Sequence, residues 1–343
     1  MSDLGAVLRD RETSEELGEF VVAVGFLRDG TAGFAMGDGT IRIAPAHGPW
    51  RTVKAHDGAV LVMATAGEAW VTGGDDGKFC RVDADGEVTE VASFGSKWVE
   101  QVAAWTDGKA GLLACGVGKT VHLFRADGVK LKELAHPATV SGIAFDAKGK
   151  RVAASHYNGV TMWFVNAKED SPRILEWKGS HIGVCLHPAG EAAVSSMQEN
   201  SLHGWRLPEG QHMRMSGYPS KTESMSFSRN GKWLATSGAE SVVMWPFFGG
   251  GPMGKAPTEL AGGDGMLCTR VAFHPREEMV AAGFSDGLVV VTDLGTERIL
   301  PMSAPGPGAR GGPVSALAWS PDGTRLAFGT ETGFAALVDL SKR

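Results

Sequence analysis

Short runs in which apolar and polar or small residues alternate recur along the chain, as in "VVAVGF" at 21–26 and "GLVVV" at 287–291. Clusters of Gly, Asp, Asn and Pro separate them. Alternation of this kind between turn residues predicts strands. Two markers then recur in step. The first is an apolar residue, usually aromatic, that closes a run just before a turn: Phe26, Ala64, Trp105, Phe145, Leu186, Phe227, Phe273 and Trp319, spaced 38 to 46 residues apart. Polar turns such as "LRDG", "HPAG" and "SPDG" follow it. The second is a tight turn between two strand-like runs, at Asp38, Asp76, Gly118, Tyr157, Glu199, Ala239, Asp286 and Thr332. Its clearest copies read "MGDGTIRI", "GGDDGKFCRV" and "GFSDGLVVV".

Each unit therefore reads as strand a, turn, strand b, tight turn, strand c, loop, strand d. A four-stranded antiparallel sheet repeated every forty-odd residues is one blade of a β-propeller. Such a sheet is apolar on both faces and stable only between neighbours. The expectation is an all-β, single closed domain over 1–343, with units starting near residues 20, 59, 97, 139, 180, 221, 267 and 313. Eight units predict eight blades, with seven as the alternative. The final unit stops after its third strand at Asp339-Leu340, so the segment 1–19 is expected to supply the closing outer strand, with Gly5 to Asp10 the candidate. Closure of this kind removes an exposed sheet edge.

These residues resemble the WD-repeat β-propeller family. The resemblance runs from about Phe20 to the end and is carried by the "SPDG" of Ser320 to Gly323, its looser copies, and the Asp of the b–c turn. The family's Trp-Asp pair is split. Trp163, Trp205 and Trp245 are followed by Phe164, Arg206 and Pro246, while Asp83, Asp293 and Asp339 follow Val82, Thr292 and Val338. The resemblance implies a buried Asp–His–Ser/Thr–Trp network, incomplete in most units, with His136, Ser155 and Trp163 coming closest. It assigns no sub-family.

Two catalytic-looking strings dissolve in this frame. "GLLACGVGKT" ends like a phosphate loop, but the spacing that such a loop needs puts Leu113 where its first Gly belongs, and a strand-like "VHLFR" follows where a helix is required. "GFSDG" has the form of a hydrolase nucleophile elbow, yet Ser285 sits in the same b–c turn as every other unit, before a strand. The ten histidines show no ligand spacing, and the four cysteines (Cys80, Cys115, Cys185, Cys268) form no C-x-x-C pair. No metal and no cofactor are expected. Net charge is −6 with no cationic block, which argues against nucleic acid. The N-terminal stretch has no signal-peptide pattern, and Phe20 to Leu27 is too short to span a bilayer. A cytoplasmic protein with no membrane association is expected. The Ala/Gly-rich, Tyr-poor usage points to a bacterial source.

The resemblance implies that partners dock on the face made by the b–c and d–a loops. There the sequence places Met36, Tyr157, Met197 and Phe284 at turn tips, and His56, Trp98, His136 and His181 on the d–a side. Two Gly/Pro-rich segments, 246–266 and 301–313, break the regular loop lengths and are expected to be mobile, with Arg310 in the second able to meet an acidic partner. Strand a carries mostly small or apolar residues, and Arg270 is the exception. A guanidinium there needs a partner, and Glu223 in the neighbouring unit predicts an inter-blade pair. The expected function is a non-catalytic protein–protein interaction scaffold. The alternative is a propeller enzyme, or a small-ligand or metal binder, using the central channel, whose entrance offers mainly Glu100 and Glu223.

Overall fold

The alternating runs become strands. The computed structural model describes residues 11–262 and 265–341, and its regular elements are β-strands apart from one short 3-10 turn, Gly308–Gly311. In the first unit Val21–Phe26 pairs with Ala32–Met36, that strand with Thr40–Ala44, and that one with Arg51–Lys54, all antiparallel. The tight b–c turns follow from their residues. Asp38, Asp76 and Asp286 each accept the N–H two positions on, through Oδ1 at 2.9 to 3.1 Å. The glycine after each takes a left-handed φ, +83° at Gly39, +76° at Gly77 and +88° at Gly287. Gly111–Val117 and Thr120–Arg125 form the same hairpin around Gly118, so the phosphate-loop lookalike is a strand–turn–strand.

The blades number seven, not eight. Six sheets have four strands and one has six. The difference lies in units four and five. Arg151–Phe164 is one strand that holds b and c of unit four, and Arg173–Leu186 runs from d of unit four straight into a of unit five. Elsewhere a loop parts d from a, as between Ser93 and Gln101. Here Tyr157 pairs with Ser180 and His181 with Met197, so one ladder continues where the spacing implied a break.

Glu12–Glu16 pairs antiparallel with Phe334–Asp339 and completes the sheet of unit eight. The candidate segment Gly5 to Asp10 lies outside the described residues. Arg310 locks this strand down. Its guanidinium bonds both carboxylate oxygens of Glu12 and the Ser303 hydroxyl (3.1 Å), and it stacks over the Phe334 ring at 4.3 Å. The Ala309 carbonyl also accepts from Thr330 and Thr332. The second Gly/Pro-rich segment is thus tied down, and Arg310 is already spent on an acidic residue of its own chain.

Apolar clusters fill the junctions between consecutive units. One joins Leu27, Ile41 and Ile43 of unit one to Trp70 and Val82 of unit two; another joins Phe328, Leu326 and Val338 of unit eight to Ala281 and Val291 of unit seven. A third joins Ala316, Ala327 and Leu337 of unit eight to Val21 and Phe34 of unit one. Glycines set the spacing. A Cβ on Gly283 would lie 2.4 Å from a methyl of Val314, and one on Gly329 2.3 Å from a methyl of Val21. The same glycine-against-valine notch recurs between Gly73 and Val99. Polar clasps add direction: Trp70 Nε1 donates to the Gly25 carbonyl, and His187 and His274 donate through Nε2 to the carbonyls of Gly231 and Gly323, at 2.9 to 3.0 Å.

Two stability outcomes follow. Trp70→Ala removes a fully buried indole and its hydrogen bond, and is expected to lower the unfolding free energy in a denaturant titration by about 3–5 kcal/mol. A double-mutant cycle on Glu12→Ala and Arg310→Ala is expected to return about 1–2 kcal/mol of coupling. Additive losses would remove the role given to that pair.

Candidate interaction surfaces

Chain direction places every b–c turn and d–a loop on one face. Of the side chains expected to form a docking surface there, Trp98 and Tyr157 stand in solvent, at 55% and 56% exposure. Phe20, on the same face beside the Gly37 turn, joins them. Met36, Met197 and Phe284 are buried. Each is the last residue of a b strand, which is covered on both sides, whereas Tyr157 projects at the turn of Arg151–Phe164. His56, His136 and His181 are buried too, and they serve the interior.

The buried networks differ from unit to unit. In unit two, His56 Nδ1 donates to Asp76 at 2.9 Å and its Nε2 lies 2.8 Å from the Thr72 hydroxyl. Burial pushes the Asp76 carboxyl up, but hydrogen bonds from His56 and from the N–H groups of Asp57 and Lys78 outweigh it and hold the group below the ordinary carboxylate range. In unit four, Trp163 Nε1 donates to His136 Nε2 at 3.1 Å, while Ser155 turns to Ser141. Burial, with His156 adding to it, lowers the His136 imidazole to about 4. In unit five, His181 Nδ1 meets the Ser195 hydroxyl at 2.6 Å. In unit six a tyrosine stands in for histidine: Trp245 Nε1 donates to the Tyr218 hydroxyl, which also bonds Thr236, both at 2.6 Å. Sequence reading missed Tyr218. Its signal was spacing, because Tyr218 precedes Trp245 by 27 residues, as His136 precedes Trp163.

On strand a of unit seven, Arg270 Nη1 bonds Glu223 at 3.2 Å, and its Nε donates to the Ser315 carbonyl at 2.7 Å. Lys221 holds the other oxygen of Glu223 at 3.0 Å. Arg270 thus spans units six, seven and eight. Ser285 accepts the Leu267 N–H at 3.1 Å as an ordinary turn residue. Among the described residues no group of three or more His, Cys, Asp or Glu is placed to hold a metal.

The opposite face, made by the c–d loops and the starts of the d strands, carries more exposed apolar side chains. Phe164, Ile174, Phe248, Met253 and Ile299 lie there. The loop after Ser241–Pro246 folds back over unit five, bringing the Met253 sulfur to 3.4 Å from the Arg214 nitrogen and Gly251 against Met213.

A family model described as the anaphase-promoting complex subunit 4 WD40 domain matches residues 271–343, which are the seventh and eighth units. This match and the seven-bladed arrangement support the WD-repeat β-propeller family. No sub-family follows from the match. Among curated proteins, the chain is 25% identical over 186 residues to autophagy-related protein 16 of Arabidopsis thaliana. That alignment covers 53% of the chain but 35% of the relative, so the matched part is about a third of that protein's length. Among solved structures, the crystal structure of the computationally designed protein Ika8 superposes with a TM-score of 0.75 at 18% identity, covering 95% of this propeller and 98% of that chain. At that identity the likeness shows the fold alone.

The buried histidines give the propeller an acid-labile interior. The folded state holds His136 neutral down to about 4 and His203 down to about 3, against about 6.5 when unfolded. Below pH 6.5 the unfolded chain takes up protons that the folded chain refuses. Stability is therefore full above the unfolded value and falls as pH drops towards the folded one, by up to about 1.4 kcal/mol per pH unit per imidazole. His136→Gln keeps an acceptor for Trp163 and is expected to flatten the melting-temperature profile between pH 6.5 and 4. An unchanged profile would remove His136 from this account.

Proposed function

We propose that this propeller is a non-catalytic protein–protein interaction scaffold that closes its ring through Glu12–Glu16 and reads its partner with the b–c/d–a face. One observation carries this reading: Trp98 and Tyr157 stand exposed on a face whose other large apolar residues are mostly folded inward. Exposed aromatics of these types dominate the energetics of protein interfaces. The WD40 match and the resemblance to autophagy-related protein 16 support an adaptor role. The thiols support the absence of chemistry, since burial pushes Cys80, Cys185 and Cys268 up to about 12 and leaves them poor nucleophiles at neutral pH.

The deciding measurement is partner capture by the intact protein and by two paired variants. Trp98→Ala with Tyr157→Ala is expected to weaken binding about 30-fold or more for each hot-spot residue lost, about 2 kcal/mol apiece. Phe164→Ala with Ile174→Ala, on the opposite face, is expected to leave binding unchanged. The reverse pattern would move the docking surface to the c–d side.

A further inference from the structure

At the junction of units five and six, on the c–d face, lies a cavity of about 210 Å³. Its walls combine three features. Gly249, Gly250 and Gly251 follow one another with φ of +60°, +95° and +102°, a curl that only glycine adopts without strain. Their N–H groups make no hydrogen bond among the described residues. Arg206 and Lys232 line the same cavity, and neither side chain has a hydrogen bond or ion pair among the described residues. Arg151, Arg270, Arg310 and Arg325, by contrast, are each held by a carboxylate or a carbonyl of this chain. Lys255 braces the curl from outside the lining set, bonding the carbonyls of Phe248 and Gly249 and so occupying their acceptors. Glu191 also lines the cavity, leaving two cations against one carboxylate in a chain whose net charge is −6.

From the unpaired Arg206 and Lys232 beside the Gly249–Gly251 curl, we propose that this cavity is an oxyanion site that takes a single phosphate or phosphate-monoester group. A guanidinium fork and an ammonium point charge are the side chains that bind phosphate. Successive glycine N–H groups form the backbone concavities that accept anions. The size suits one phosphate group and not a whole nucleotide, since cavities for drug-sized ligands start at about 300 Å³. His187 does not compete, because its Nε2 donates to the Gly231 carbonyl and its Nδ1 accepts the Ala189 N–H. Pro246 and Trp233 pair at the root of the loop, and Phe247 N–H bonds the Lys232 carbonyl, so the curl leaves a fixed base. The site lies on the face opposite Trp98 and Tyr157 and does not depend on the scaffold reading.

Titration calorimetry on the full chain, with inorganic phosphate and with a phosphoserine peptide as separate probes, tests it. Binding of either is expected. Arg206→Ala is expected to weaken it at least tenfold, and Glu191→Gln to strengthen it, while Lys97→Ala on the other face changes nothing. Thermal melts confirm that each variant is folded, and Lys232→Ala supplies a second cation loss should Arg206→Ala unfold. Equal affinity for both probes marks a free-ion site, and tighter binding of the peptide marks a modified partner. No heat with either probe, or affinity that is indifferent to Arg206, Lys232 and Glu191, overturns the proposal.

Discussion

Everything in this molecule follows from sheets that are apolar on both faces and cannot stand alone. Strand b shows it most plainly: every residue of Ala69–Gly74 and of Ala192–Met197 is buried. A strand so placed is covered on each side, and its cover is supplied by the units before and after it. The apolar clusters therefore sit between sheets and not within them, and stability is a sum of junctions. That constraint reaches down to single atoms. A b strand carries glycine where a valine of the next unit presses in, as with Gly283 and Val314, because the two backbones approach more closely than a Cβ allows.

The same constraint decides which parts of the structure were legible in the sequence. Alternation and turn residues report local geometry, so strands, b–c hairpins and the innocence of Gly118 and Ser285 could all be read. The number of sheets could not be. Spacing counts repeats, but a sheet ends only where pairing ends, and Arg173–Leu186 runs on as one strand that pairs in both units. The surface was the least legible. Met36, Met197 and Phe284 resemble turn-tip residues in the sequence, but each is the last residue of a covered strand, where a single step along the chain separates core from solvent. Tyr157 lies beyond that step. The Arg270–Glu223 contact was accessible because a guanidinium among small residues has few ways to be satisfied.

The interior tolerates broken repeat signatures for a related reason. What burial demands of each unit is that a tryptophan N–H and a strand hydroxyl find partners, not that a particular residue supply them. Histidine does this in unit four and Tyr218 does it in unit six, through hydrogen bonds of the same topology. Loss of the Asp in one unit, or of the Trp in another, removes one link and leaves the packing around it. The cost appears elsewhere. A buried imidazole that must stay neutral makes the interior sensitive to acid, whereas a phenol in the same place, which burial pushes up to about 12, is uncharged throughout the physiological range.

Freedom in the repeat accumulates where the covering ends. The residue after the strand-c tryptophan is a case in point: Trp163 and Trp205 are buried, while Phe164 and Arg206, one position later, are exposed. Where the family carries an Asp, this chain places an apolar ring in one unit and a cation in the next, and neither choice disturbs the junction beneath. Pro246, the third such residue, is buried under the loop that begins there and builds the glycine curl. Three units with the same buried layer thus present three different chemistries within one stretch of surface. Differences in surface chemistry among these units therefore arise at the positions just past the covered strands, where a change of residue leaves the junction beneath intact.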